Sequence, residues 1–147
     1  MQFHPGNLPW ILSASSNNTV YLWGYGKRSC LLVVTGHKDY VTCVTFSPVN
    51  NLILSTLLDG KIRVWDTMRL HKKQVKGAAV SHNHDVVEKY TLKGHDCGVN
   101  WARFHHNLPF LVLAFDDHHV EMWRFSESQA WEIDTHQGHS SKILSCF

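Results

Sequence analysis

The sequence predicts an all-β fold made of repeated four-stranded antiparallel sheets. Three observations carry that expectation. A Gly-His pair recurs at Gly36-His37, Gly94-His95 and Gly138-His139. Trp65 lies twenty-eight positions after His37, and Trp123 lies the same distance after His95. A fixed period of this kind is read before any local propensity, because it decides the architecture. The residues around each of three tryptophans also alternate. Ile62 and Val64 oppose Lys61, Arg63 and Trp65; Val20 and Leu22 oppose Tyr21 and Trp23; Val120 and Met122 oppose Glu121 and Trp123. Period two marks strands with a buried side on each face.

A unit of about 40–45 residues, opened by Gly-His and closed by Trp-Asp, resembles the WD repeat, which is one four-stranded blade of a β-propeller. The fold class is therefore a partial WD-repeat β-propeller of about three blades, in one domain over residues 1–147. Residues 1–35 read as an incomplete blade, since no Gly-His pair precedes Phe3. Phe3-His4-Pro5 ends a strand, Trp10 to Ser15 and Thr19 to Trp23 are strands, and Cys30 to Thr35 is the fourth. Ser16-Asn17-Asn18 between them suits a tight turn, because Asn and Ser bond their own backbone. Residues 36–93 form a complete blade, with strands at Val41 to Phe46, Leu52 to Thr56 and Lys61 to Trp65. His95 follows Trp65 by thirty positions, against fourteen from Trp23 to His37. The excess sits in Arg69 to His84, which holds four Lys/Arg and no acid. It reads as a solvated insertion at 69–84, because loop closure costs little per added residue; an interaction loop is the alternative. Residues 94–137 are the third blade, with strands at Val99 to Phe104, Phe110 to Ala114, Val120 to Phe125 and Ala130 to Thr135. Residues 138–147 start a fourth.

Composition narrows the function classes. Apolar residues make up 44% and charged residues 18%, which is globular. A net charge of +2 is too small for a nucleic-acid-binding face. No apolar run approaches the roughly 18 residues of a membrane span. The N-terminal Met-Gln-Phe-His-Pro has no charged and apolar signal-peptide pattern. Cys30, Cys43, Cys97 and Cys146 are scattered, with Cys43 and Cys146 in expected strands, and read as free thiols of a reducing compartment.

WD repeats hold the third strand of a blade with a hydrogen-bonded Trp, Ser/Thr, His and Asp set, because buried polar groups need partners. In the middle blade the candidates are His37, Ser55, Asp59 and Trp65, expected to be buried and mutually bonded. The third blade keeps His95, Asp117 and Trp123 but has Leu113 in the serine position, so the Trp123 N–H needs another partner. The first keeps Ser13 and Trp23, with Asn17 in place of the acid. A His/Asp/Ser set also brings a hydrolase to mind, but a nucleophile needs exposure and an oxyanion hole, and this serine is expected inside a strand. The twelve histidines raise a metal enzyme. The pairs His105/His106 and His118/His119 are neighbours that a strand would point to opposite faces, and closely spaced Cys or acid ligands are missing. Catalytic, cofactor and metal sites are accordingly expected to be absent.

Four phrases resemble one family, the first propeller of the coatomer alpha subunit of Golgi-derived vesicle coats. They are PWILSAS (Pro9 to Ser15), KIRVWD (Lys61 to Asp66), LKGHDCGVNWARFH (Leu92 to His105) and SESQAWEIDTHQGH (Ser126 to His139). The insertion with Lys72-Lys73 also looks like that family's loop. The resemblance implies a cytoplasmic protein, peripheral on Golgi and transport-vesicle membranes and not inserted in them, partnered with other coatomer subunits. It also implies recognition of the dilysine signal on cytosolic tails of membrane cargo, where tyrosines and acids hold the lysines and basic residues hold the carboxylate. Tyr40 matches a family tyrosine three residues after a blade histidine. The family's acid pair falls on Ser16 and Asn17, so the charge is gone, and the basic residues belong to blades not present here. Gly24 after Trp23 and His106 in place of a strand-ending proline are further departures, in keeping with a truncated, diverged copy. A remnant that binds no signal, and a WD scaffold of another complex, stay open as alternatives.

Overall fold

The computed structural model describes residues 1–6, 8–26, 29–75, 86–93, 96–126 and 128–145. Among these residues twelve strands form three antiparallel four-stranded sheets, each built from consecutive strands. Sheet 1 holds β1 (Gln2–Phe3), β2 (Trp10–Ser15), β3 (Thr19–Gly24) and β4 (Ser29–Val34). Sheet 2 holds β5 (Val41–Phe46), β6 (Leu52–Leu57), β7 (Lys61–Asp66) and β8 (Val87–Lys93). Sheet 3 holds β9 (Val99–Phe104), β10 (Phe110–Phe115), β11 (His119–Phe125) and β12 (Ala130–Gln137). The sheets repeat one another in register: Phe3 pairs with Ile11 as Phe46 pairs with Ile53, and Ile11 pairs with Trp23 as Ile53 pairs with Trp65.

The turn between the second and third strands needs a left-handed residue at one position in every sheet. Asn18 (φ 64°), Gly60 (φ 80°) and His118 (φ 72°) occupy it in turn. Glycine enters that region freely and asparagine tolerates it, while a histidine is held there only by the surrounding structure.

Two cores join the three sheets. Trp10, Leu12, Val20 and Leu22 of sheet 1 pack against Val44, Phe46, Ile53 and Trp65 of sheet 2. Leu54, Ile62 and Val64, on the other face of sheet 2, pack against Val99, Phe104 and Leu111 of sheet 3. Sheet 2 is thus buried on both faces. This is why β6 is buried at all six positions, where a half-buried strand would alternate. Beyond the apolar packing, Thr42 Oγ1 donates to the Val99 carbonyl and Cys43 Sγ to that of Ala102, linking β5 to β9.

Gly98, just before β9, lies where sheets 2 and 3 meet. A Cβ there would stand 3.0 Å from both Leu58 O and Leu58 Cδ1 and 3.1 Å from Asp116 Oδ2. The carbonyl cannot move without its turn, so Gly98→Ala is expected to destabilise by about 1–3 kcal/mol through overpacking. Urea unfolding reads this directly, and an unchanged midpoint would show that the turn yields.

The reading of 69–84 as a solvated insertion is corrected at its start. Residues Met68–Val75 form a helix, α1. Asp66 Oδ1 accepts the Met68 N–H at 2.7 Å, and the Thr67 carbonyl accepts that of His71 at 3.1 Å, so Asp66-Thr67 caps the helix. Leu70 is fully buried in the core between sheets 1 and 2. The ring of His71 lies 4.7 Å from that of Trp10. Residues 76–85 of the insertion lie outside the described residues. The expected first strand of a fourth blade is also absent over residues 138–145. Ile143 is nevertheless buried, with its carbonyl accepting the Asn100 Nδ2 proton at 3.1 Å. Cys30, Cys43 and Cys97 are free thiols; Cys146 lies outside the described residues.

Candidate functional site

The strand order sends the connections β2–β3, β4–β5 and β6–β7 to one end of the sheets. Helix α1, between β7 and β8, lies at the opposite end. The first end carries Ser16, Asn17, Tyr40 and Leu58, all exposed. Tyr40 is held by its backbone, its carbonyl accepting the Leu58 N–H at 3.0 Å and its N–H donating to Asp39 Oδ1 at 2.7 Å. The residue is 53% exposed. The polar groups of Asn17 are engaged within their own turn. Its Nδ2 donates to Tyr21 Oη at 3.0 Å, and its Oδ1 accepts the Thr19 hydroxyl.

Behind that end lies the buried hydrogen-bond set of sheet 2. Trp65 Nε1 donates to Ser55 Oγ at 3.0 Å, and Ser55 Oγ stands 2.9 Å from His37 Nε2. Because the oxygen already accepts the indole proton, its own proton can go to an unprotonated Nε2. The neutral imidazole fits this arrangement. Burial, with the Arg63 guanidinium nearby, lowers the His37 pKa to about 4. Asp59 does not join this set, which departs from the expected four-membered arrangement. Its Oδ1 accepts the Lys61 N–H at 3.1 Å, and its Oδ2 pairs with the Lys61 ammonium. Lys61, two positions on, thus engages both carboxylate oxygens.

The other two sheets satisfy the tryptophan differently. In sheet 1, Trp23 Nε1 donates to Ser13 Oγ at 2.8 Å, but the pair is open to solvent, with Trp23 39% exposed. In sheet 3, Leu113 is fully buried in the serine position, and Trp123 Nε1 donates to Glu121 Oε2 at 2.7 Å. Glu121 is itself buried and paired across the ladder with Leu113. The sequence reading left this partner unnamed. The signal was present, since Glu121 shares the face of Trp123 two positions away. Asp117 accepts the His119 N–H at 3.3 Å and faces its Nδ1 at 2.9 Å; His95 lies outside the described residues.

His105 and His106 do not point apart, as strand neighbours would: their rings stack with centroids 4.5 Å apart. Both follow the end of β9, so strand alternation does not govern them. His105 Nδ1 accepts the N–H groups of Asn107 and Leu108. Among the described residues no three His, Cys, Asp or Glu side chains are grouped to hold a metal, and no helix is long and apolar enough to cross a membrane.

The repeated sheets and their tryptophan sets have a counterpart in sequence. The pattern described as WD domain, G-beta repeat matches residues 28–66 and 86–124, more than half of the chain. The chain belongs to the WD40 family. Each WD40 match begins at or just before an outermost strand of one sheet and runs through three strands of the next, so the repeat straddles two blades. Coatomer subunit alpha-1 of Arabidopsis thaliana is 55% identical over 51 residues. Coatomer subunit alpha of Saccharomyces cerevisiae is 53% identical over 51 residues. The match covers 35% of this chain and 4% of each of these relatives. The putative coatomer subunit alpha of Schizosaccharomyces pombe is 51% identical over the same length. A third of the chain is therefore similar to coatomer alpha subunits, and the chain matches only a small part of those proteins.

Proposed function

We propose that this chain is a non-enzymatic protein-interaction module of the coatomer alpha type, a single partial propeller over residues 1–147. In this reading it acts in the cytoplasm, peripherally on Golgi and transport-vesicle membranes, with other coat subunits as partners. The observation that carries it is the pairing of coatomer-alpha-like WD40 repeats with a solvent-facing end that holds Tyr40. Ser55, which faces both a histidine and a tryptophan, is buried and offers a substrate nothing. The residues His37, Ser55, Trp65, Ser13, Trp23, Asp117 and Trp123 are structural in this reading, while Tyr40 and Ser16 line the peptide-facing end.

Dilysine tails are expected to bind weakly or not at all. A lysine ammonium gains about 1.5–3 kcal/mol from a carboxylate partner. Ser16 and Asn17 present only neutral groups, and those of Asn17 are already bonded. Losing two charge contacts of that size weakens affinity by about two to four decades. A cytosolic-tail peptide ending Lys-Lys-x-x, titrated by calorimetry against its dialanine version, is expected to show no difference between them. The double variant Ser16→Asp, Asn17→Asp should then gain affinity for the dilysine peptide only. Micromolar binding to the unaltered chain, abolished in the dialanine control, would show that the turn at Ser16 is not where the lysines are read.

A further inference from the structure

At the end of the sheets opposite Tyr40, helix α1 and the start of β8 enclose a groove. One part, of about 340 Å³, is lined by Asp66, Met68, Arg69, Lys72, Val87 and Lys89. A second part, of about 140 Å³, adds Val49, Asn50 and Asn51 and shares Asp66, Met68 and Lys89 with the first, so the two are continuous. Apolar and positively charged groups meet along it. Val49, Met68 and Val87 are each between 45% and 49% exposed. Arg69, Lys72 and Lys89 are exposed beside them, and among the described residues no carboxylate pairs with any of the three. The acid in the lining is Asp66, whose Oδ1 already accepts the Met68 N–H at 2.7 Å. Glu88, next to Lys89 in sequence, is turned to Arg63 at 3.5 Å and accepts the Thr91 hydroxyl.

Helix formation does not account for these cations. Lys72 stands in the last turn of α1, where the helix dipole favours positive charge. Arg69 stands in the first turn, where the dipole opposes a cation and an acid would be the stabilising choice. Lys89 belongs to another element, β8. Residues 76–85, which join the two elements in sequence, hold Asp85 against Lys76 and so bring no net negative charge. A positive, partly apolar concavity is complementary to a ligand that carries carboxylates and apolar groups in turn. A bilayer surface is flat and would span the groove, whereas an extended chain enters it.

We propose that this groove binds an acidic segment of a partner protein. The segment's carboxylates meet Arg69, Lys72 and Lys89, and its apolar side chains lie against Val49, Met68 and Val87. Recognition of acidic motifs by basic clusters is a recurrent mode of peptide binding. The start of the 69–84 insertion is then an interaction element. It lies at the opposite end from Tyr40, so failure of either surface to bind leaves the other standing.

The probe is a fluorescein-labelled peptide in which pairs of Glu alternate with single Leu, titrated against the whole purified chain by fluorescence anisotropy. The same peptide with Gln for Glu is the control. Binding of the acidic peptide alone is expected, weakening several-fold between about 50 and about 200 mM salt as screening grows. The double variant Lys72→Glu, Lys89→Glu should lose at least about tenfold in affinity. Lys93→Glu with Arg103→Glu makes the same change of net charge at exposed positions outside the groove lining, and should bind as the unaltered chain does. Val87→Ser, which changes no charge, should cost about two- to threefold by removing part of the apolar wall. Thermal melts check that each variant keeps its fold, and Arg69→Glu replaces either groove lysine variant that does not. The proposal is overturned by absence of binding, by equal binding of the Gln peptide, by a double variant no weaker than its charge-matched control, or by an affinity untouched in Val87→Ser. It is overturned as well by a chain that sediments with phosphatidylcholine–phosphatidylserine vesicles and ignores the peptide.

Discussion

Trp10→Ala is expected to lower unfolding free energy by about 3–5 kcal/mol, the usual range for emptying a large aromatic site in a packed core. Trp10 is fully buried and touches three parts of the molecule at once. Its ring meets that of His4 at 5.6 Å and that of His71, on α1, at 4.7 Å. It also stands in the core that joins sheet 1 to sheet 2. The cavity could be filled only by moving a strand or the helix, so little relaxation is available. Domains of this size hold about 5–15 kcal/mol in all, and the substitution should remove a large fraction of it. Chemical unfolding followed by circular dichroism reads the loss. A cost under about 1 kcal/mol would mean that the site collapses around the missing ring. Leu32→Ala, in the same core but away from the helix, serves as the comparison.

Acid should weaken the fold well above the carboxylate range. The folded-state pKa of His37 is lowered from 6.5 to about 4, chiefly by burial and then by the Arg63 charge. Above pH 6.5 neither the folded nor the unfolded chain holds this proton, and the contribution is fully present. Below it the unfolded chain is protonated first, so stability falls with pH until about pH 4 and levels below that. A shift of this size corresponds to about 3–4 kcal/mol. Burial lowers the pKa values of His4 and His71 in the same direction, and the nearby His4 ring further opposes charging of His71. The lowered pKa values of Asp59, Asp116 and Asp117 act only beneath their ordinary 3.8, outside this window. Urea midpoints measured from pH 7.5 down to 4.5 should decline for the unaltered chain and decline less for His37→Gln. Parallel curves for the two proteins would remove His37 from the account.

Most of the strand architecture was legible because the repeat is long and its punctuation regular. The Gly-His to Trp spacing marked sheets 2 and 3, and period-two alternation gave the face on which Ile62, Val64 and Trp65 lie. Helix α1 was not read, because its only buried side chain with a described position is Leu70, and the run of Arg and Lys around it resembles a solvated loop. The Asp66-Thr67 cap was the available signal. The site was less legible than the fold. Ser55, His37 and Trp65 come together as spacing implied. The place of Asp59 was decided by Lys61, a competitor two residues away that no motif weighs. Glu121 is the converse case, since a motif with a missing serine says that a partner is needed without saying which residue supplies it.

The hairpin order of the sheets has a consequence for how the chain is made. Every ladder joins a strand to the one just before it, so no strand waits for a distant part of the sequence before it can pair. Low sequence separation between contacts favours rapid folding in a β protein. Sheet 1 holds all its strands by Val34, before most of sheet 2 has been synthesised. Its Trp10 face then stands as a ready surface for β5 and β6 as they leave the ribosome, and sheet 2 does the same for sheet 3. Assembly can therefore follow the order of translation, each sheet templating the next, with the sheet 3 face the last to form.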